Sequence, residues 1–222
     1  MSIFDSFYCI GCDISKLAMF MDRTGENIGI CKSCAQRIHT TKEKTFEGKE
    51  FIDLVVSPFL YDDVMRDAVR KFKFDDQRIF GEFLTELALD TLEDKSCFDD
   101  SDIIIPGPLH MNRLNERGFN QSEIIAKTLG KAIGREVVTD AIFRIRDTLH
   151  QSSLKGLARI ENVRDAFTAF PSAVSGKKII LVDDIYTMGE TANECAKTLK
   201  SSGAEKVVVF ALCKTISKSS LF

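Results

Sequence analysis

Residues 177–191, KKIILVDDIYTMGET, constrain the fold of this chain more than any other stretch. Two lysines lead into four apolar residues, Ile179 to Val182, three of them β-branched. Such a run predicts a strand buried on both faces. It ends in adjacent carboxylates, Asp183 and Asp184, and Thr187, Gly189 and Thr191 follow. Ala192, Cys195, Ala196 and Leu199 then recur at helical spacing, with Gly203 as a stop. Thr191 and Glu194 have the form of a capping box, which predicts that Thr191 opens the helix.

A buried strand, a polar turn and a helix start make a place for an anion. The free N–H groups of the first helical turn and the positive end of the helix dipole face the turn. Gly189 lets the backbone approach a phosphate, and Thr187 and Thr191 add hydroxyl donors. Asp183 and Asp184 cannot serve that phosphate; they suit hydroxyls or a divalent metal. A ribose carrying a 5′-phosphate satisfies both halves. The run Val182-Asp183-Asp184-Ile185-Tyr186-Thr187-Met188-Gly189-Glu190-Thr191 resembles the phosphoribosyl-pyrophosphate signature of type I phosphoribosyltransferases. Met188 stands where that family often has a second Thr. The plainer alternative is a strand-to-helix turn whose aspartates are solvated or cap the helix.

Two more apolar runs, Asp102–Pro106 and Lys206–Cys213, read as buried strands, and Phe51–Val56 as another, closed by Pro58. Helical periodicity marks 61–74, 80–92 and a helix after Gln121 that ends at Gly134. The first two are expected to join near Asp75-Asp76. Strands alternating with helices argue a parallel α/β sheet, whose ligands sit at the C-terminal strand ends. The turn after Pro106 would then share an edge with the turn at 183–191. It holds His110, Arg113 and Arg117; the arginines are four apart, able to face one way on a helix and to grip phosphate oxygens. Residues 143–170 are irregular and rich in donors, among them Arg144, Arg146, Thr148, Gln151 and Arg159. They read as a partly extended basic segment or as a surface hairpin. Lys71 and Lys73 could reach a ligand, but are expected rather to lie along the surface.

Cys9-x-x-Cys12 and Cys31-x-x-Cys34 are separated by eighteen residues. Two such pairs read as a four-thiolate metal site, structural because four thiolates leave no open position. Zinc is the expected ion and iron the rival. Gly11 and Gly29 suit tight turns there, His39 is a bystander, and Cys195 and Cys213 belong to the core. Residues 40–50 are polar and charged, a linker or surface turn, so the chain divides into a module over 1–50 and a domain over 51–222. Residues 216–222 look like a frayed tail.

The net charge of −3 is unevenly spread: residues 101–178 carry 12 basic and 8 acidic side chains, whereas 1–100 carry 13 and 20. The basic excess suits a polyphosphate or a nucleic-acid backbone. The chain has no Trp, which weakens a case for stacking single-stranded bases. No apolar run approaches the roughly 20 residues of a membrane span, and the start MSIFDSFYC lacks a basic leader, so a cytoplasmic location is expected.

Nearly the whole chain resembles the ComF family. The resemblance rests on the cysteine pairs, Pro108-Leu109-His110 with Arg113, the block Arg117-Gly118-Phe119-Asn120-Gln121, and Arg144-x-Arg146-x-Thr148 with Gln151. Arg159, Asn162-Val163, Ala166-Phe167 and the 182–191 signature complete it. Gly107 and Asp165 depart from it: an apolar residue is usual at the first and Gly at the second. The resemblance implies a type I phosphoribosyltransferase-like parallel sheet flanked by helices, behind a zinc module. It implies Mg²⁺-dependent transfer of ribose 5-phosphate from phosphoribosyl pyrophosphate to an acceptor. Asp183, Asp184, Arg113 and Arg117 would be catalytic. Thr187, Met188, Gly189, Glu190, Thr191, His110, Gln151 and Arg159 would bind substrate. The other function it implies is a non-catalytic competence protein that meets single-stranded DNA or DNA-processing proteins.

Overall fold

A computed structural model describes residues 5–25, 27–74, 78–148 and 157–215, with the backbone alone for Phe74, Leu157 and Arg159. The expectations for Gln151, for the joint at Asp75-Asp76 and for the tail 216–222 lie outside the described residues.

The N-terminal strands are β1 (Ser6–Cys9), β2 (Ser15–Leu17), β3 (Met21–Thr24) and β4 (Ile28–Cys31), followed by the one-turn helix α1 (Lys32–Ala35). They form a small sheet in the order β2-β1-β4-β3. β5 (Thr45–Phe46), β6 (Leu54–Val56) and β7 (Phe59–Leu60) precede two long helices, α2 (Asp63–Phe74) and α3 (Arg78–Thr91). Then come β8 (Ile103–Pro106), α4 (Met111–Arg117), α5 (Gln121–Ile133), β9 (Glu136–Val137) and β10 (Ile142–Arg144). α6 (Leu157–Val163), β11 (Phe167–Ala169), α7 (Pro171–Val174), β12 (Lys178–Tyr186), α8 (Glu190–Ser201) and β13 (Lys206–Lys214) complete the order.

The main sheet runs β5-β6-β13-β12-β8-β9, with β7 beside the far end of β13. Every pairing is parallel except that of β5 with β6. The period of two in a strand divides its side chains between two cores. Ile180, Val182, Val208, Phe210 and Ile104 pack with α2, α3 and α5 on one face. Ile179, Leu181, Val207, Val209 and Ile105 pack with α8 and the β10–β11 ribbon on the other. Both faces are thus covered, which is why these strands read as unbroken apolar runs. Each fully buried side chain of this size contributes about 1.5–3 kcal/mol.

The small N-terminal sheet has no core of its own. Phe7, Ile10, Met21, Ile28 and Ile30 belong to the same buried cluster as Phe80, Phe83 and Leu84 of α3. Tyr8 stacks on Phe80 with ring centroids 6.1 Å apart.

Several expectations change. The key strand does not stop at the aspartates but continues to Tyr186, because β13 keeps offering partners: Asp183 lies opposite Ala211, Ile185 opposite Cys213 and Tyr186 opposite Lys214. Helix α8 starts before Thr191: Gly189, at φ 75°, is its N-cap, and the Asn193 N–H donates to the Gly189 carbonyl at 2.8 Å. Glu194 makes no capping box. It accepts the Asp165 N–H at 2.9 Å and pairs with Lys197 at 3.2 Å. The polar stretch 40–50 is not a free linker, since β5 adds to the sheet and the Thr41 hydroxyl donates to the Ser57 carbonyl at 2.8 Å. In segment 143–170, β10 and β11 pair antiparallel, Phe143 opposite Thr168, as in the hairpin reading; residues 149–156 between them lie outside the described residues.

Asp165, two residues before β11, sits at φ 52°, a left-handed conformation that explains why Gly suits this position. Asp165→Gly relieves the strain and forfeits only an exposed contact with Lys197 at 3.6 Å. A gain of about 0.5–1 kcal/mol is expected in urea unfolding, less the added freedom of the unfolded chain. A loss of stability would count against the left-handed assignment.

Candidate functional site

The four N-terminal cysteines come together. Cys9 ends β1 and Cys31 ends β4, two parallel neighbours, and Cys12 and Cys34 follow each in a turn and in α1. Their sulfurs all lie within 4.8 Å of one another, a set that can hold a metal ion. A tetrahedral zinc with bonds of about 2.3 Å needs sulfurs spaced about 3.8 Å apart, so the donor set fits. Burial pushes the Cys9 thiol up, but backbone N–H groups of Cys31, Gly11 and Cys12 outweigh it and bring it to about 7. Gly11 is demanded by proximity: a Cβ there would lie 2.8 Å from the Cys34 sulfur. Gly29 sits inside β4, not in a turn, where a Cβ would meet the Arg23 carbonyl at 2.5 Å. His39 stands apart and faces Asp62 at 3.0 Å.

A second site opens at the C-terminal ends of β8 and β12, as a cavity of about 410 Å³. Three walls meet there. The first is the acidic strand end and the turn after it: Asp183, Asp184, Thr187, Gly189, Glu190 and Thr191 line the cavity. Met188 points away and is exposed. The second is α4 with the turn before it, contributing Gly107, Arg113 and Arg117. The third is basic and comes from elsewhere: Arg144 of β10 and Arg70 and Lys73 of α2.

The block 117–121 explains how the second wall is fixed. Arg117 ends α4, and Gly118, at φ 75°, reverses the chain. Phe119 is buried beside Phe72 of α2 at 6.0 Å. Asn120 caps α5 through the Ser122 N–H and donates to the Gly107 carbonyl at 3.0 Å. Gln121 accepts from Arg117 at 3.0 Å and reaches the Lys73 carbonyl at 3.5 Å. The five residues therefore join the arginine helix, the turn after β8 and the end of α2. Gly107 is held against β12, its N–H donating to the Val182 carbonyl at 2.8 Å, and a Cβ would come within 2.9 Å of that oxygen.

Lys73 is the residue that sequence reasoning misplaced. It is not a surface side chain: Nζ lies 2.7 Å from Asp184 Oδ2, both largely buried. Burial alone would lower its pKa, but Asp184 and Asp183 raise it, so the ammonium keeps its charge. The signal was available, since Met65, Val69 and Lys73 recur four apart on the buried side of α2. Asp183 is pushed up to about 7 by burial and by Asp184, against the pull of Lys73, the Asp184 N–H and Arg144. Arg144 is also buried, with Nη2 on the Thr148 hydroxyl and Nε without a partner among the described residues. Arg113 donates to the Thr148 carbonyl at 2.6 Å, so Thr148 ties both guanidiniums together. Burial holds both arginines below their usual values, as does the cation next to each: Arg117 for Arg113, Arg113 for Arg144. Neither forms an ion pair with a carboxylate among the described residues, although Asp147 is near enough to act on both.

His110 does not line the cavity. It caps α4, Nδ1 accepting the Asn112 N–H at 3.3 Å. Arg159 lies in α6, and only its backbone is described.

No family model matches the chain. It is 36% identical over 115 residues to DNA utilization protein YhgH of Escherichia coli O157:H7, a match covering 52% of this chain and 50% of that protein. The chain thus spans about half the length of these first relatives. It is 28% identical over 225 residues to Competence protein ComFC of Streptococcus pneumoniae, covering 95% of this chain and 93% of that one. Along most of its length the chain is thus similar to a ComF-type competence protein. Competence protein F of Haemophilus influenzae is a further relative, 28% identical over 151 residues and 66% of each chain. Among solved structures, the chain is similar to the allosteric regulatory enzyme of purine biosynthesis, at 19% identity and a TM-score of 0.38. That match covers 59% of this chain and 24% of the other. A likeness so slight carries nothing about chemistry. The parallel sheet flanked by helices behind a four-cysteine cluster stands on the geometry above.

Proposed function

We propose that this chain binds phosphoribosyl pyrophosphate and transfers its ribose 5-phosphate to an acceptor. The observation that carries the reading is the meeting, in one cavity, of a helix-start turn, an acidic strand end and the guanidinium groups of Arg113, Arg117 and Arg144. Backbone N–H groups at 189–191, with the Thr187 and Thr191 hydroxyls, receive the 5′-phosphate. Asp183 and Asp184 accept from the ribose hydroxyls. Arg113, Arg117 and Arg144 hold the leaving pyrophosphate, whose departure leaves an oxocarbenium-like C1; charge placed before the reaction lowers that barrier. Mg²⁺, when bound with the substrate, would neutralise pyrophosphate charge. Zinc would be structural, held by Cys9, Cys12, Cys31 and Cys34 in a module over residues 1–50 that covers the domain at 51–222. Among the described residues no helix is long and apolar enough to cross a membrane, which is compatible with a cytoplasmic protein.

Thermal unfolding of the metal-loaded chain tests this. Phosphoribosyl pyrophosphate with Mg²⁺ at a hundredfold its Kd is expected to stabilise by about 2.7 kcal/mol. That corresponds to a rise of roughly 5–10 °C for a chain this size. Asp183→Asn/Asp184→Asn is expected to lose the shift. No shift in the wild type at millimolar ligand rejects the reading.

The names of the relatives favour a second reading, a non-catalytic part in competence through single-stranded DNA or protein partners. The basic wall of the cavity is the surface it would use. Its mark is a salt-dependent affinity for single strands that falls in Arg113→Ala/Arg117→Ala.

A further inference from the structure

Asp183 and Asp184 are neighbours on an extended strand, so their side chains leave it on opposite faces. Their surroundings agree. Arg144 acts on Asp183 and Cys195 feels it, whereas Tyr61 and Cys213 feel Asp184; Lys73 is felt at both. Among the described residues, no third carboxylate or imidazole joins them in a metal-sized cluster; the four cysteines form one. A cation already stands at this pair. Lys73 Nζ is 2.7 Å from Asp184 Oδ2, with only 19% and 12% of the two side chains exposed. Its place is built by the fold: Phe72, next to it, is fully buried, and Gln121 holds the Lys73 carbonyl.

We propose that Lys73 is the resident counter-ion of the acidic pair. It occupies the carboxylate oxygen that a divalent cation would need, so the aspartates accept ribose hydroxyls directly and Mg²⁺ arrives on the polyphosphate. This deepens the phosphoribosyl reading and rests on it only for the identity of the diol. A buried carboxylate left without its counter-ion, by contrast, is a hard-oxygen ligand that attracts a cation by itself.

The zinc-loaded full chain is titrated with Mn²⁺ alone, and free Mn²⁺ is followed by electron paramagnetic resonance. Wild type and Lys73→Arg are expected to bind none at the pair. Lys73→Met is expected to bind one ion, at least about tenfold more tightly than the detection limit that wild type fails to reach, because the neutralising charge is gone. Lys73→Met/Asp184→Asn, which removes both charges, is expected to lose that ion. A Lys73→Met chain that folds only in Mn²⁺ also supports the proposal, and one that stays unfolded in Mn²⁺ counts against it. Uptake by the wild type that Asp184→Asn abolishes overturns it. Calorimetry with ribose 5-phosphate gives the second measurement. Binding without any divalent ion, lost in Asp184→Asn, is the expected result, and binding that needs Mg²⁺ overturns the proposal. No binding with or without Mg²⁺ rejects the phosphoribosyl reading and leaves the Mn²⁺ contrast to decide on Lys73.

Discussion

Stripping the metal from the four cysteines with a strong chelator, or replacing Cys31 by Ser, is expected to unfold the N-terminal sheet and destabilise the rest. The strands there are three or four residues long, too short to persist alone. Cys9, Cys31 and Cys34 are buried, so losing the ion leaves unpaired thiols packed together instead of a closed shell. Structural zinc supplies about 10–16 kcal/mol of apparent binding energy in small domains, and bound to these cysteines it would hold a lid over α3. Phe7, Ile10 and Ile30 cover Phe80 and Phe83 of α3, and their release turns that helix face toward water. Urea unfolding is expected to show a loss of several kcal/mol, and limited proteolysis is expected to cut first within residues 5–35. One ion per chain should be released, and a colourless protein marks zinc rather than iron. An unchanged thermal transition after chelation would remove the metal from the account of stability.

How much of this was legible depends on whether a feature is local. The strand cores at 103–106, 179–182 and 206–213 announce themselves because burial on both faces leaves continuous apolar runs. The cysteine spacing and the arginine helix are equally local, and Arg113 and Arg117 do share one cavity. What escaped is set by distant partners. The strand outlasts Val182 only because β13 lies alongside. Lys73 enters the site only because α2 ends beside Asp184, and the Lys49–Glu190 pair, at 2.5 Å, ties residues 40–50 to the start of α8 from far off in the chain. His110 looked like a ligand by position and serves as a helix cap, since its backbone is extended just before α4 and its ring folds over the first turn.

Gly189→Ala is expected to abolish phosphate binding while leaving the fold intact. The residue sits at φ 75°, where a side chain costs about 1–2 kcal/mol of backbone strain. Space is worse than strain: an added Cβ would lie 2.3 Å from the Tyr186 hydroxyl and 2.5 Å from its Cζ. Tyr186 has little room to yield, being buried and packed edge-on against Phe46 at 5.7 Å. The turn must therefore shift, and with it the N–H groups of the first turn of α8. The helix itself keeps Ala192, Cys195, Ala196 and Leu199 in the core, so far-UV circular dichroism should not change. A loss of about 2.7 kcal/mol in ligand binding corresponds to roughly a hundredfold in Kd, and at least this is expected by calorimetry with phosphoribosyl pyrophosphate. Thr187→Val removes one hydroxyl and no backbone donor, so it should cost only about 1 kcal/mol. Met188→Ala should cost nothing, because that side chain is 53% exposed and off the cavity wall. The ranking separates a phosphate held mainly by backbone from one held by side chains. If Gly189→Ala binds as the wild type does while Thr187→Val fails, the turn acts through its hydroxyl, and the helix-start account of the anion site is wrong.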